Sequence, residues 1–297
     1  MRRLFALAAA ALMVVASAAT AAEWKKVLAP AELAALAGEG GVTVIDIRPP
    51  REYLTAHVPG AINAPYPAWR GPAENPGAPL TDAALTQLLR GLGLTAESRA
   101  VVTHAGIDAT DFGAAARVYW TLKSAGLTEI AILNGGVRGW IVAGRELSVT
   151  PSAAKPSKAS FTLSGDWMAD RDTVAAIVAG EREATLVDAR PDPFRTGKKA
   201  HPAAKAPGTL PGSQQVLFDS WFEKGGPEIG LVDKVKALAE AEAPGAGGET
   251  VSFCNTGHWA AINWFALSEM AGRENVRLYP ESMVGWTGAG GKTATVE

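Results

Sequence analysis

The chain has 297 residues, 47% of them apolar and 20% charged, with a formal net charge of -2. A balance this close to neutrality leaves no basic footprint for nucleic acid or an anionic membrane, and the apolar share is that of a folded chain. The length suits about two domains.

Met1, Arg2 and Arg3 open onto an apolar run from Leu4 to about Ala16, closed by Ala19, Thr20, Ala21 and Ala22 ahead of Glu23. A basic start, a short apolar centre and a small-residue end describe a secretory signal peptide over residues 1–22, cleaved after Ala21 or Ala22. An uncleaved anchor is the alternative, but the run is shorter than the roughly 20 residues of a spanning helix. No later segment is long and apolar enough to span. The expectation is a periplasmic or secreted protein without membrane attachment after cleavage.

The mature chain repeats itself. Thr43-Val44-Ile45-Asp46-Ile47-Arg48 is answered by Thr185-Leu186-Val187-Asp188-Ala189-Arg190, each a short apolar strand ending in Asp, one residue, Arg, then Pro. Val58-Pro59-Gly60-Ala61 matches Leu210-Pro211-Gly212-Ser213, and Trp69 matches Trp221. Ala100 to Gly106 parallels Thr250 to Thr256, and Val137-Arg138-Gly139-Trp140 parallels Met283-Val284-Gly285-Trp286. A period this long is a duplicated domain, not a solenoid. Residues 151–160, with Pro151 and Pro156 and no apolar periodicity, separate a first domain over 23–150 from a second over 161–297. Within each half, short apolar strands alternate with helical patterns such as Ala83 to Leu92 and Val232 to Ala241. That alternation predicts an α/β fold, a mainly parallel sheet flanked by helices in each domain.

Cys254 is the only cysteine. In an oxidising compartment a thiol that cannot pair internally is open to oxidation or coupling, so it calls for a chemical explanation. It sits between a predicted strand, Thr250 to Phe253, and a segment with helical spacing from Trp259 to Met270. Ligands of parallel sheets bind at the carboxyl ends of strands, where this thiol lies. Backbone N–H groups of such a turn and the positive helix end favour an anion there, so the thiol is expected to titrate below the ordinary value of about 8.5. The bland alternative is a buried thiol acting as a small hydrophobe.

These residues resemble the tandem rhodanese family of sulfurtransferases, over nearly the whole mature chain. In the first half, Asp46, Arg48, Glu52, Tyr53 and His57 through Asn63 look like its early signature, and Gly135-Gly136 through Trp140 like its late one. The resemblance implies two rhodanese-like domains, with His104 in the place of the active cysteine making the first inert. In the second half Thr209 stands where the family usually has His, after an insertion rich in Lys, Ala and Pro. Asn255 and Thr256 are neutral, where thiosulfate-using members carry basic residues and mercaptopyruvate-using members small ones. Position 260 is Ala, where phosphatase relatives need Arg to neutralise phosphoryl oxygens.

The implied function is an exported sulfurtransferase moving sulfane sulfur from thiosulfate or a similar small donor to cyanide or a thiol, small or protein, through a Cys254 persulfide. The alternative is a persulfide carrier or binding module serving a partner protein, and a redox-sensing thiol ranks behind both. One thiol suffices for the transfer, and no organic cofactor is required. Cys254, His57, His104, His201 and His258 show no metal-ligand spacing. The substrate-binding candidates are Asn255, Thr256, Gly257, His258 and Trp259, whose N–H groups would stabilise the sulfur anion, together with Arg195. Arg195 stands one place from where the family's substrate arginine is expected, and an isolated surface arginine is its other reading. His258 is expected to favour the thiolate when protonated or to donate to substrate, its alternative being a solvent-facing loop residue. Trp259 either walls the pocket or simply packs, and Trp264 belongs to the core. Asp188 and Arg190 are expected to pair and brace the loop.

Overall fold

The structure, a computed structural model, describes residues 24–223, 226–242 and 248–296. The expected leader lies outside these residues. Among them, no helix is long and apolar enough to cross a membrane.

The first half contains β1 (Val27–Leu28), α1 (Pro30–Glu39), β2 (Val42–Asp46), α2 (Pro50–Thr55) and β3 (Ile62–Asn63), then α3 (Asp82–Gly91), β4 (Arg99–Thr103), α4 (Ala109–Ser124), β5 (Ile130–Leu133) and α5 (Gly136–Val142). Its strands lie in the order β1-β5-β4-β2-β3, every pair parallel. The second half repeats the plan with α6 (Arg171–Val178), β6 (Thr185–Asp188), α7 (Asp192–Arg195), β7 (Gln214–Gln215), α8 (Val232–Glu242), β8 (Thr250–Phe253), α9 (Trp259–Trp264), β9 (Val276–Leu278) and α10 (Ser282–Gly288). Its sheet runs β7-β6-β8-β9, again all parallel. The counterpart of β1 shrinks to a single parallel bridge between Met168 and Leu278. Both sheets are the α/β arrangement that the alternating pattern predicts.

The predicted helix from Trp259 to Met270 is helical throughout but changes pitch, α9 passing into a π-helix over Phe265–Met270. Residues 151–160 form neither helix nor strand, yet they do not float. Arg90 on α3 donates to the Ala159 carbonyl and to Ser160 Oγ, and Ser157 N–H returns to the Arg90 carbonyl.

The two halves share one core. Helix α4 is buried along nearly its whole length because both its faces are covered, one by its own sheet and one by α9 of the other half. Phe112 and Tyr119 of α4 meet Phe265 edge-on at 5.8 and 4.9 Å, and the Tyr119 hydroxyl donates to Glu269 Oε2 at 2.7 Å. Trp120 and Trp264 are fully enclosed in the same apolar cluster, Trp264 in the core as its sequence setting predicts. Burying side chains of this size contributes roughly 1.5–3 kcal/mol each relative to exposure. That continuous apolar contact fixes the mutual placement of the halves, and with it the surroundings of the loop after β8.

Candidate active site

The loop from Cys254 to His258 leaves the carboxyl end of β8, one of the two strands paired on both sides in the second sheet. Cys254 is 1% exposed, and Asn255 and Thr256 are buried around it. Four consecutive loop carbonyls have partners. Cys254 O accepts from Met283 N–H at 3.1 Å and Asn255 O from Val284 N–H at 3.0 Å. Thr256 O accepts from Arg70 Nη2 at 2.7 Å and Gly257 O from Arg117 Nη1 at 3.3 Å. In a trans peptide the C=O and the next N–H point opposite ways, so turning these four carbonyls outward turns the N–H groups of Asn255, Thr256, Gly257 and His258 inward. The sequence anticipates a cradle of N–H groups from Asn255 to Trp259, and four of those donors, on Asn255, Thr256, His258 and Trp259, have no acceptor among the described residues. Gly257 departs from that expectation, because its N–H is taken by Ser282 Oγ at 3.1 Å.

Two of the groups that orient the loop come from the other half of the molecule. Arg117 rides on α4 and also donates to the Gly77 carbonyl at 2.9 Å. Burial, with the neighbouring Arg70 charge, pushes the Arg117 guanidinium down to about 9, so it remains a cation at neutral pH. Gly257 has a backbone φ of +66°, and a Cβ there would stand 2.4 Å from both Arg117 Nη1 and the Pro280 carbonyl. Only glycine permits both the turn and the approach of the guanidinium. Arg70 follows the one-turn helix at Tyr66–Trp69 and spans to Thr256, leaving its Nη1 buried without a protein partner. Neither arginine belongs to the motifs that carry the sequence reading. Arg117 does leave a signal there, as a lone charge in the apolar run of Phe112 to Trp120.

His258 is neither a free acid beside the thiol nor a solvent-facing residue. Its Nε2 lies 2.7 Å from the Thr110 carbonyl, which can only accept, so Nε2 carries the proton. Its Nδ1 therefore accepts from the Tyr66 hydroxyl at 2.8 Å. Burial, with the nearby Arg70 charge, pushes His258 down to about 4 and keeps it neutral. The protonated form expected to favour the thiolate is thus disfavoured by the second domain's own packing against the first. Trp259 is held by packing. It stacks on Phe218 with centroids 4.6 Å apart, meets Phe194 edge-on and donates to Thr110 Oγ1 at 3.2 Å.

Asp188 and Arg190 form a two-pronged pair, Nε to Oδ1 at 2.8 Å and Nη2 to Oδ2 at 2.7 Å. Arg190 Nη1 then reaches Asn255 Oδ1 at 3.2 Å, the link to the loop that their position at the end of the neighbouring strand suggests. Asp46 and Arg48 repeat the pair, but the first half has Ala105 in place of Asn255 and no such link. Arg195 is largely buried, not an isolated surface arginine. It leans on the same carboxylate, 3.9 Å from Asp188 Oδ2, and donates weakly to the Ser213 carbonyl. Thr209 makes the same antiparallel bridge, to Ala294, that His57 makes to Ser148, so the two positions are equivalent.

The corresponding loop of the first half is filled from within. Asp111 Oδ2 accepts from Gly106 N–H at 2.6 Å and Ile107 N–H at 3.1 Å and pairs with His104 Nδ1 at 2.8 Å. Burial raises the Asp111 carboxyl, but the bonds from His104, Ile107 and Gly106 outweigh it and hold the group below its ordinary range. A resident carboxylate takes the place an external anion would need. Among the described residues no group of three or more His, Cys, Asp or Glu side chains is gathered to hold a metal ion.

Known proteins show the same architecture. A rhodanese-like domain model matches residues 29–143 and again 170–289. A Mycolicibacterium smegmatis protein named "Putative thiosulfate sulfurtransferase" is 29% identical over 247 residues, 79% of this chain and 83% of that protein. The similarly named SseB of Mycobacterium tuberculosis is 28% identical over 276 residues, 86% of this chain and 92% of its own. The solved structure of wild-type EanB superposes with a TM-score of 0.80 at 19% identity, covering 92% of this chain and 69% of that one, a likeness of fold. With two parallel-sheet units of one plan and a family match to each, the chain belongs to the rhodanese-like domain family.

Proposed function

We propose that the protein is an exported sulfurtransferase that takes sulfane sulfur from thiosulfate or a similar small donor and passes it to cyanide or a thiol. The observation that carries this reading is the Cys254 loop, a buried thiol with the inward N–H groups of Asn255, Thr256 and His258 claimed by no protein group among the described residues. The names of the relatives support the donor class, and the leader-like sequence of residues 1–22 supports export.

In the first step the Cys254 thiolate attacks the outer sulfur of thiosulfate. An S–S bond forms to Cys254, the donor's own S–S bond breaks, and sulfite leaves with that electron pair. The terminal sulfur of the persulfide is then attacked by cyanide carbon or a thiolate, and the Cys254 thiolate leaves. Both steps conserve charge and need no external oxidant. Inward N–H groups stabilise the thiolate and the persulfide anion, while Arg70, with an unused buried Nη1, contributes positive charge beside the loop. The aromatic wall of Phe194, Phe218 and Trp259 keeps that side of the loop apolar, which strengthens each electrostatic contact.

A persulfide carrier served by a partner protein is the second reading. The near-complete burial of Cys254 favours a small donor over delivery from a partner's cysteine. Intact-mass spectrometry after incubation with thiosulfate tests the proposal. The expected result is one added sulfur at Cys254, removed by cyanide. No gain with thiosulfate, mercaptopyruvate or a small persulfide overturns it.

A further inference from the structure

Ser282, the first residue of α10, has a backbone φ of +52°, a left-handed conformation that is strained for a residue with a Cβ. It is fully buried. Its Oγ accepts from Cys254 N–H at 3.0 Å and from Gly257 N–H at 3.1 Å, and donates to the Tyr279 carbonyl at 2.8 Å. A single hydroxyl therefore bridges the beginning and the middle of the loop that carries the thiol. This strained turn is held in place by three buried hydrogen bonds.

The duplicated half shows what stands there otherwise. Met283 N–H to Cys254 O and Val284 N–H to Asn255 O are matched by Val137 N–H to His104 O and Arg138 N–H to Ala105 O. This register pairs Ser282 with Gly136, whose φ is +57°. In the first half the loop has closed onto that glycine. A Cβ on Gly136 would lie 2.4 Å from the His104 carbonyl oxygen and 2.8 Å from Gly106 N. The same turn thus supports two loop forms, a closed one over glycine, where the inward donors grip Asp111, and an open one over serine, where they remain available.

We infer that Ser282 is a positioning residue for Cys254, a wedge whose Cβ keeps the loop from closing so that its unclaimed N–H groups stay free to face the sulfur, while its hydroxyl holds the N–H of Gly257 away from that role. The inference deepens the proposed sulfur transfer and rests on it for its functional meaning, while the loop geometry it describes can be tested without any sulfur donor. Hydroxyl and Cβ have separable effects. Removing only the hydroxyl leaves the wedge and frees the inward Gly257 N–H as an added donor to the sulfur anion. Removing both lets the loop close as it does over Gly136, and the donors are lost to the sulfur.

Cys254 is the only cysteine, so its alkylation by iodoacetamide in the full chain reports on this one site. Rates are measured from pH 5 to 10 for the unsubstituted protein, Ser282→Gly and Ser282→Ala, with thermal melting of each and persulfide formation from thiosulfate followed in parallel. Ser282→Gly is expected to move the pH of half-maximal alkylation upward and to slow alkylation at pH 7 about tenfold. Ser282→Ala is expected to move that pH downward. Shifts of both variants in one direction, or no shift with Ser282→Gly, overturn the inference. If Ser282→Gly does not melt cooperatively, the Ala variant decides alone, an upward or absent shift overturning it. Failure of the unsubstituted protein to form a persulfide while the opposed alkylation shifts appear would overturn the sulfur-transfer reading and leave the wedge intact.

Discussion

Arg117, on a helix of the first domain, donates to the carbonyl of Gly257 in the second, 140 residues away, and so fixes which way a peptide beside the thiol faces. The half that lacks a cysteine is therefore part of the loop's architecture. Removing the cation should affect function more than folding. Arg117→Met keeps apolar volume and removes a buried charge whose Nε has no partner among the described residues. Two carbonyls lose a donor, which costs about 1–3 kcal/mol. We expect persulfide formation at Cys254 to slow at least tenfold while the melting transition stays cooperative. A variant with unchanged persulfide kinetics would show that the loop does not need this contact.

Gly257→Ala should be far more damaging than most surface-loop alanines. The new methyl meets Arg117 and Pro280 at 2.4 Å in a backbone region that disfavours any Cβ. Together these effects predict a loss of about 2–4 kcal/mol in urea unfolding and loss of sulfur transfer. The check is the denaturation midpoint at pH 7.

Neutral His258 makes stability depend on pH. Its folded value is about 4 against the ordinary 6.5, so between these values the unfolded chain binds more protons. The contribution is complete above pH 6.5 and is lost as pH falls through about 4, amounting to about 2–3 kcal/mol. Urea unfolding at pH 7.5 and pH 4.5 should show this fall, and His258→Gln should reduce it. An equal fall in the variant would assign the pH dependence to other groups.

The first domain should resist conversion into a second sulfur site. In a Cys254→Ser background, His104→Cys is expected to gain no sulfur from thiosulfate, because Asp111 already holds the Gly106 and Ile107 donors. Sulfur on residue 104 by mass spectrometry would show that the resident carboxylate is no barrier.

Trp264 and the strands beside Asp46, Asp188 and Cys254 are legible because alternation, helical spacing and turn residues are properties of neighbouring residues. The duplication is legible for the same reason, since each copy writes its local pattern twice. The pairing of Asp188 with Arg190 follows from their placement two residues apart at a strand end. The surroundings of His258 are not local, for its two partners, Tyr66 and Thr110, lie 192 and 148 residues earlier.

Two parallel α/β units, a single thiol at a strand end and a cysteine-free copy of its loop at His104 are written in neighbouring residues. Folding adds what they do not hold: Arg70 and Arg117 turn the loop carbonyls outward, His258 is held neutral, and Ser282 occupies the turn left to Gly136. The reason is physical. Backbone pattern is set by near neighbours, whereas the field and the donors around a buried sulfur are set by groups that meet only when α4 and α9 pack into one core.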